Sequence, residues 1–396
     1  MTLYTILDNI DSLCFFLLGT SVLYLFVFAL LSHIKRKDIY PAAGKLHRFV
    51  ILYPAYKEDR VIENAISNFL EQDYPKSCYD VVVISDQMQD DTINRLKSMP
   101  VTLMEVHFQQ SSKAKAMQYA MENLDKNTYD MVVIMDADNT VEPNFLHELN
   151  KAYHSGCLVI QAHRMAKNLN TDTAILDAVS EEINNSIFRK GHVRLGLSAA
   201  LIGSGMAIDF QWFKKNIFKL QTAGEDKELE ALLLKENIFI EYLEHVNVYD
   251  EKTQKDSTFY NQRRRWLSVQ FHSLARSIKD LPSAIFDGKW DYADKLLQWM
   301  MLPRIILLGV IILFSLILLP INLIWAIKWW GLALLLLVTL SISVPDYLVT
   351  EHFIKAMKKI PKLFILMVFN LFRLKGANKK FIHTEHGQSF KKEDKV

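Results

Sequence analysis

The feature that most limits what this chain can fold into is the apolar run 13–31, which contains no charged residue. At about 1.5 Å per residue, a helix of this length crosses a hydrocarbon core of about 30 Å. A basic segment, 33–37, follows the run, whereas a cleavable signal peptide carries its basic residues before the apolar part. We therefore predict that residues 1–34 are a membrane anchor. The positive-inside rule predicts that the polar middle of the chain faces the cytoplasm.

Two more apolar stretches, 302–327 and 329–349, lie near the other end of the chain. Each is long enough to cross a bilayer, and the connection around Lys328 is too short to hold a domain. Residues 301–351 are therefore predicted to form a transmembrane hairpin. Lysines that follow the second stretch predict that the chain returns there to the cytoplasm.

Other segments are predicted to lie on the membrane rather than to cross it. A basic amphipathic stretch runs from Leu267 to Lys279, and residues 276–300 are predicted to form an amphipathic interfacial segment that rests against the bilayer. Residues 352–396 are predicted to form an interfacial helix and a basic cytoplasmic tail, because their apolar part, 363–374, is too short to cross.

Composition narrows the class of protein. The 396 residues carry a formal net charge of only +2, which disfavours a nucleic-acid partner because such proteins carry a strongly basic domain or stripe. Cys14, Cys78 and Cys157 are far apart and lack metal-ligand spacing. We therefore expect free thiols in a reducing compartment.

Between residues 45 and 275, short apolar segments alternate with amphipathic ones, which indicates one α/β domain. The apolar runs 81–84 and 131–135 are typical of parallel strands buried on both faces. They lead into Asp86 and Asp136, and we expect the two strands to be neighbours. Ligands bind at the carboxyl edge of such sheets, so these aspartates are predicted to face a ligand. The absence of Gly-x-Gly-x-x-Gly and Walker lysine motifs disfavours ordinary dinucleotide and P-loop sites.

Asp136 and Asp138 occupy alternate positions where a strand gives way to a loop. Two carboxylates at this spacing can approach one hard cation, and magnesium or manganese typically shares such carboxylates with substrate phosphates. The spacing alone also fits a simple turn, but the strand context favours a metal site.

Three further segments fit a phosphorylated ligand. Lys113 stands where a helix is predicted to begin, a position that suits phosphate, although a solvated helical face fits equally well. Asp226 follows Gly224 and Glu225 in the first turn of another predicted helix, where the helix dipole favours acids and where a catalytic base could be presented. Segment 262–266, Gln-Arg-Arg-Arg-Trp, could bind a diphosphate and stack on a sugar ring, or bind anionic lipid head groups.

In this order, the segments resemble the inverting nucleotide-sugar transferases of glycosyltransferase family 2. Within that family, they are similar to the membrane-embedded branch that contains cellulose, hyaluronan and poly-N-acetylglucosamine synthases. The resemblance covers roughly residues 48–274 and the membrane layout. It rests on Asp86 and on segments 53–58, 113–116, 136–138, 203–205, 224–226 and 262–266. It implies a GT-A type nucleotide-sugar-binding domain with a mostly parallel sheet, flanked by N-terminal and C-terminal transmembrane helices.

The resemblance also implies a role for each matching residue. The donor, expected to be a UDP-sugar, would be bound by Ala55, Tyr56, Glu58, Asp86, Lys113, Asp136 and Arg265. The metal, Mg²⁺ or Mn²⁺, would be held by Asp136 and Asp138. The general base would be Asp226, and the acceptor site would contain Gln262, Trp266 and Gly205. Two departures leave the donor open: Gln87 stands where a second acid is common, and Lys57 stands where many members have asparagine.

The reaction implied is transfer of a sugar to a hydroxyl group of a glycan or lipid-linked acceptor, with formation of a β-glycosidic bond. A processive polysaccharide synthase, with accessory export subunits as further partners, is one form of this hypothesis. A single transfer that makes a polyprenyl-phosphate or glycolipid intermediate is the alternative, and a non-catalytic scaffold is disfavoured because the metal and base carboxylates are present. The expected location is a bacterial plasma membrane, with the catalytic domain in the cytoplasm and the bilayer as a partner.

Overall fold

A sheet of eight strands forms the centre of the polar domain in the computed structural model, which describes residues 3–36, 40–222 and 224–373. The strands are β1 (Phe49–Tyr56), β2 (Tyr79–Asp86), β3 (Thr102–Val106), β4 (Met131–Ile134), β5 (Thr140–Val141), β6 (Val159–Ala166), β7 (Met206–Asp209) and β8 (Ile240–Asp250). Their order in the sheet is β3-β2-β1-β4-β7-β6-β8-β5.

Most strand pairs in this sheet are parallel. The pairs β3–β2, β2–β1, β1–β4 and β6–β8 are parallel, whereas β7 runs antiparallel to β4 and β6, and β5 antiparallel to β8. The predicted α/β class and mostly parallel sheet are confirmed. One expectation was wrong: β1 lies between β2 and β4, so the strands that lead into Asp86 and Asp136 are not neighbours. Adjacency in sequence could not reveal this, because a crossover connection can place a strand on either side of its predecessor.

The helices of the chain, in order, have the following bounds. They are α1 (Leu3–Leu31), α2 (Ile62–Phe69), α3 (Asp90–Lys97), α4 (Lys113–Asn123), α5 (Phe145–His154), α6 (Asp172–Asn184), α7 (His192–Leu195), α8 (Phe210–Asn216), α9 (Glu225–Lys235), α10 (Asp256–Ser277), α11 (Leu281–Phe286), α12 (Trp290–Met300), α13 (Arg304–Leu318), α14 (Leu323–Ile342), α15 (Glu351–Ala356) and α16 (Ile360–Phe372). A π-helical segment, Asn185–Gly191, joins α6 to α7.

The two faces of the sheet are covered by different helices because successive strand residues point to opposite sides. Val50 and Leu52 of β1 pack in a cluster with buried residues of α4, α9 and α12. Phe49, Ile51 and Tyr53 of the same strand pack in a second cluster with residues of α2 and α5. This double burial explains why the strand sequences are continuously apolar.

The segment predicted to rest against the membrane, 276–300, contains α11 and α12. Tyr292 and Leu296 of α12 are buried in the sheet cluster. Phe286 and Trp290, by contrast, are 89% and 62% exposed. One face of this segment therefore covers the sheet and another presents aromatic side chains outward, and its contact with a bilayer stays a prediction.

Two helices in the part of the chain that the structure describes are long and apolar enough to cross a membrane. They are Tyr4–Leu31 and Leu323–Ile342, and the pair α12 and α13, bent by 56°, would make a third span if it is counted as one. Helix α16 is only 13 residues long, which is shorter than the roughly 20 that a span needs. The predicted basic tail from residue 374 onward lies outside the described residues.

The predicted position of the hairpin turn was wrong. The turn occupies residues 319–322, and Lys328 lies inside α14. Pro320 lacks a backbone N–H and cannot continue α13, and the Asn322 side chain accepts hydrogen bonds from two backbone N–H groups at the start of α14. Lys328 can lie within the helix because its ammonium group pairs with Asp11 of α1, whose other carboxylate oxygen accepts a 2.7 Å hydrogen bond from the Trp329 indole.

Gly191 marks the place where α1 contacts the π-helical segment. A Cβ atom added at Gly191 would lie 2.2 Å from the carbonyl oxygen of Phe28, so Gly191→Ala should force the two elements apart and cost about 1–3 kcal/mol of stability. We expect a lower midpoint of thermal unfolding for the purified full-length protein in detergent.

Gly331→Ala is the matched control, because nothing lies within 4 Å of the added Cβ and alanine favours helix. Its midpoint should equal or exceed that of the wild type. Equal midpoints for Gly191→Ala and the wild type would contradict the close contact between α1 and this segment.

Candidate active site

A cavity of about 890 Å³ opens at the carboxyl ends of β1, β2 and β4 and continues between the helices that follow α10. Its lining includes eleven of the predicted site residues, namely Ala55, Tyr56, Glu58, Asp86, Lys113, Asp136, Asp138, Asp226, Gln262, Arg265 and Trp266. Side chains that are up to about two hundred positions apart in the chain therefore face one space.

Gly205 is the predicted residue that does not line this cavity. It is buried in a left-handed conformation (φ 61°), and an added Cβ would lie 2.8 Å from Val248. Gly203, two residues earlier, does line the cavity and is also left-handed (φ 87°). The assignment of Gly205 to the acceptor site stays a prediction.

Lys113 connects three segments at the mouth of the site. Its ammonium group donates to the Asp136 carboxylate and, over 2.7 Å, to the carbonyl oxygen of Gly203. Lys113 is the first residue of α4, whose N-cap Ser112 accepts a hydrogen bond from the backbone N–H of Lys115. The start of α4, the end of β4 and the glycine loop are therefore held together by one side chain.

The loop that contains Asp136 and Asp138 is fixed by hydrogen bonds. The Asn139 side chain accepts from the backbone N–H of Asp136 and donates to the Asp138 carboxylate, at 3.1 and 3.2 Å. The backbone N–H of Glu251 donates to the other Asp138 oxygen over 2.7 Å. Asp138 is 5% exposed, whereas the side chain of Asp136 is 38% exposed, so Asp136 is the more accessible of the two.

The carboxylate oxygens of Asp136 and Asp138 are suitable ligands for a divalent metal ion. Both are hard oxygen ligands on alternate residues at the edge of the sheet, which is what Mg²⁺ and Mn²⁺ prefer. Over residues 3–36, 40–222 and 224–373, no group of three or more His, Cys, Asp or Glu side chains could hold a metal ion. A metal on this pair would therefore need further oxygen ligands from the substrate, as such ions usually take from phosphates.

The ends of β1 and β2 form another part of the lining of the site. Asp86 is 3% exposed, and one carboxylate oxygen accepts a 3.4 Å hydrogen bond from the backbone N–H of Phe108. The two residues that depart from the family pattern, Lys57 and Gln87, follow these strands directly and have positive φ angles of 57° and 54°. Residues other than glycine rarely adopt this conformation, and it is concentrated at ligand sites.

The predicted base lies at the beginning of α9. Gly224 precedes this helix, and a Cβ there would lie 2.1 Å from a methyl group of Val269 in α10, so only glycine allows the two helices to approach this closely. One carboxylate oxygen of Asp226 accepts a 2.8 Å hydrogen bond from the backbone N–H of Lys227. The packing of α9 on α10 thus sets where Asp226 enters the cavity.

Glu225, beside Asp226, is a site residue that sequence reasoning missed. Burial raises the pKa of Glu225 to about 7, and the negative charge of Asp226 adds to this, while Lys113 and Arg265 oppose it. The sequence shows only an acid in a first helical turn. The signal that identifies it, burial beside another carboxylate, exists only in the folded protein.

Helix α10 presents the predicted acceptor segment to the cavity. Arg263 pairs with Asp177 of α6 over 2.5 Å, and its guanidinium group lies 4.6 Å from the centre of the Trp266 ring system. Arg263 and Arg265 both line the cavity, together with Trp266. Two of the three arginines in this segment therefore line the cavity, and whether the segment also binds lipid head groups stays a prediction.

One group of lining residues, called here the apolar half of the cavity, consists of apolar side chains. These residues come from α14, α15 and α16 and from the segments between them, namely Leu337, Leu340, Val344, Val349, Phe353, Met357, Ile360, Leu363 and Met367. The cavity thus joins the polar edge of the sheet to the apolar helices near the end of the chain. The sequence predicted both parts but not their continuity.

Comparison with known proteins identifies the family of this chain and structures similar to it. Residues 47–268, more than half of the chain, match the family model described as "Glycosyltransferase like family 2". The mannosyltransferase PcManGT from Pyrobaculum calidifontis, solved with GDP-Man and Mn²⁺, is similar in structure, with a TM-score of 0.54 and 15% identity over 83% of this chain and 97% of that one. S. aureus TarS 1-349 with UDP-GlcNAc aligns with a TM-score of 0.41 and 14% identity over 83% of this chain and 90% of that one. No curated protein sequence matches the chain.

The raised pKa of Glu225 makes the stability of the protein depend on pH. The folded protein binds this proton more tightly than the unfolded chain does, so the stabilisation is complete below pH 4.5 and is lost as the pH rises through about 7. We expect Glu225→Gln to reduce the fall in thermal midpoint between pH 4.5 and pH 8.

Glu122→Gln, at an exposed position, is the control and should keep the wild-type pH dependence. Parallel midpoint curves for Glu225→Gln and the wild type over this pH range would contradict a raised pKa at Glu225.

Proposed function

Because the chain belongs to glycosyltransferase family 2, we propose that it transfers one sugar from a nucleoside-diphosphate donor to a hydroxyl group, with inversion at the anomeric carbon. The observation that carries this proposal is the single cavity that Asp136, Asp138, Lys113, Asp226 and Trp266 share. The anionic leaving group needs positive charge and the attacking alcohol needs a base. Residues of both kinds line this cavity.

The leaving group would be stabilised by fixed positive charge. Lys113 and Arg265 line the cavity near Asp136 and would face the diphosphate as the bond to the sugar breaks. Each hydrogen-bond donor that already points at such a charge stabilises the transition state by about 3 kcal/mol. A metal ion on Asp136 and Asp138 would add further positive charge when it is bound.

Asp226 would accept the proton of the attacking hydroxyl as the general base. Its carboxylate lines the same cavity as the tryptophan and glutamine of the proposed acceptor site, Trp266 and Gln262. Attack from the face opposite the leaving diphosphate converts an α-linked donor into a β-linked product.

The nucleoside would lie at the ends of β1 and β2, beside Ala55, Tyr56, Glu58 and Asp86. Asp86 is fixed by the backbone of Phe108, and burial at this position suits a carboxylate that accepts hydrogen bonds from a base or ribose. We propose a UDP-sugar as the donor because Asp86 and segment 53–58 resemble the donor-binding segments of the family.

The apolar half of the cavity favours a lipid-linked acceptor over a polysaccharide that passes between the helices. Sugar hydroxyls need polar partners, and burying them without such partners is unfavourable. The proposed arrangement places α1 and α14 across a bacterial plasma membrane, with the basic end of α1 and the catalytic domain in the cytoplasm.

The role of Asp226 can be tested by Asp226→Asn, which keeps the size of the side chain but removes the base. Transfer of a radiolabelled sugar should fall by at least about 100-fold, the usual contribution of a general base, while UDP binding measured by calorimetry stays near the wild-type value. Asp91→Asn, an exposed carboxylate on α3, is the control and should transfer normally. Retained transfer in Asp226→Asn, or loss of UDP binding, would count against the assignment.

The role of the metal can be tested by binding rather than by activity alone. Asp138→Asn should weaken Mn²⁺ binding in the presence of UDP, as measured by the loss of the free-ion paramagnetic resonance signal, because a neutral amide is a poorer ligand than a carboxylate. EDTA should abolish transfer by the wild-type protein, and added Mn²⁺ or Mg²⁺ should restore it. Equal Mn²⁺ binding by Asp138→Asn and Asp91→Asn would contradict a metal site at Asp138.

A further inference from the structure

Arg304 is the first residue of α13, a helix that packs against α14 and α16 of the apolar half of the cavity. It lines the cavity together with Arg189 and Arg263, and its guanidinium group is 5.9 Å from the centre of the Phe188 ring. One of its terminal nitrogens donates to the carbonyl oxygen and the hydroxyl of Ser180, at 3.1 and 3.4 Å. These three arginines contact neighbouring residues of α6, namely Asp177, Ser180 and Glu181.

Two of these arginines have a carboxylate partner within salt-bridge distance and the third does not. Arg263 pairs with Asp177 over 2.5 Å, and Arg189 pairs with Glu181 over 2.9 Å. Arg304 has no carboxylate partner within 4 Å among the residues that the structure describes. Its other terminal nitrogen is shielded from water and has no hydrogen-bond partner there.

A cation in this state is unfavourable unless an anion meets it, because a buried charge needs a partner. Arginine's planar fork matches the oxygens of a phosphate group better than it matches any neutral ligand. The position of Arg304 is therefore suited to a phosphate that enters through the cavity.

The rest of the cavity defines what such a phosphate would be attached to. The lining of the same cavity includes Asp226 and Trp266, from α9 and α10, and apolar side chains of α14 to α16 such as Leu340, Phe353 and Leu363. Hydrocarbon chains gain from contact with such walls, whereas a free glycan would lose its hydrogen bonds to water there.

We infer that the acceptor is a membrane lipid with a phosphate between its apolar chain and its reactive hydroxyl. Arg304 binds the phosphate, the chain lies between α14, α15 and α16, and the hydroxyl reaches Asp226. This inference rests on the proposed function, since it names the acceptor of that reaction. Arg304 is a positioning residue in it, because it contacts the acceptor's phosphate and not the reacting atoms.

The test uses the full-length protein in detergent and two photoactivatable lipids with the same acyl chains, phosphatidylglycerol and diacylglycerol. Only the first has a phosphate ahead of its hydroxyl groups. We expect labelling within α14 to α16, with phosphatidylglycerol labelling about tenfold more efficiently, as one charge-assisted hydrogen-bonded contact implies.

Arg304→Gln should lower labelling by phosphatidylglycerol to the level of diacylglycerol, and Arg304→Lys should keep part of the preference. Arg95→Gln, which removes an exposed arginine of α3, is the matched control and should label like the wild type. Val344→Trp should fill the apolar half and reduce labelling by both lipids.

Calorimetric UDP binding by each variant shows that it is folded and separates this inference from the proposed function. Equal labelling by the two lipids in the wild type, or unchanged phosphatidylglycerol labelling in Arg304→Gln with UDP binding intact, would overturn the lipid-phosphate site. Displacement of the lipid by an equal concentration of inorganic phosphate would also overturn it, because the chain would then contribute nothing. Absence of UDP binding in the wild type would instead contradict the proposed function.

Discussion

The ammonium group of Lys113 joins segments of the candidate active site that are far apart in the sequence. Its contacts with Asp136 and with the carbonyl oxygen of Gly203 tie the first turn of α4 to the end of β4 and to the glycine loop. Because the same lysine also lies near Glu225, it affects the charge at the start of α9. A donor diphosphate would bring its own negative charge to this point, so Lys113 can exchange one anionic partner for another while the site keeps its shape.

The two candidate membrane helices, α1 and α14, depend on a comparable compensation of charge. Asp11 of α1 is 3% exposed and takes the ammonium group of Lys328 and the indole N–H of Trp329 as partners. These contacts fix α14 against α1 and so set the position of the helices that form the apolar half of the cavity. Residues of the sheet domain and of the apolar helices, including Leu25 of α1, therefore line one cavity.

The local pattern of residues was sufficient to predict the helices and strands but not how they are arranged. The runs in β2 and β4 were readable because strands buried on both faces are continuously apolar, and most of α1 was readable because no charge interrupts residues 13–31. The turn before α14 was misplaced because Lys328 looked like a connection, and only the distant Asp11 explains how a lysine fits inside the helix. The position of β1 between β2 and β4 was missed for a similar reason, since a crossover leaves no mark in the strand sequences.

The same limit applies to the site. Motif order pointed to Asp136, Asp138 and Asp226, which the fold brings to one cavity. Glu225 and Arg304 were missed because their importance comes from burial beside other charges, which residue spacing does not encode.

The central claim is that a metal-bound nucleoside diphosphate occupies the edge of the sheet opposite the attacking alcohol. A cryo-electron microscopy structure of the full-length protein with UDP and Mn²⁺ tests it most directly. We expect diphosphate density in contact with Lys113 and Arg265, Mn²⁺ on Asp136 and Asp138, and uracil near Asp86. Nucleotide density outside this cavity, or at this edge without contact to either aspartate, would contradict it.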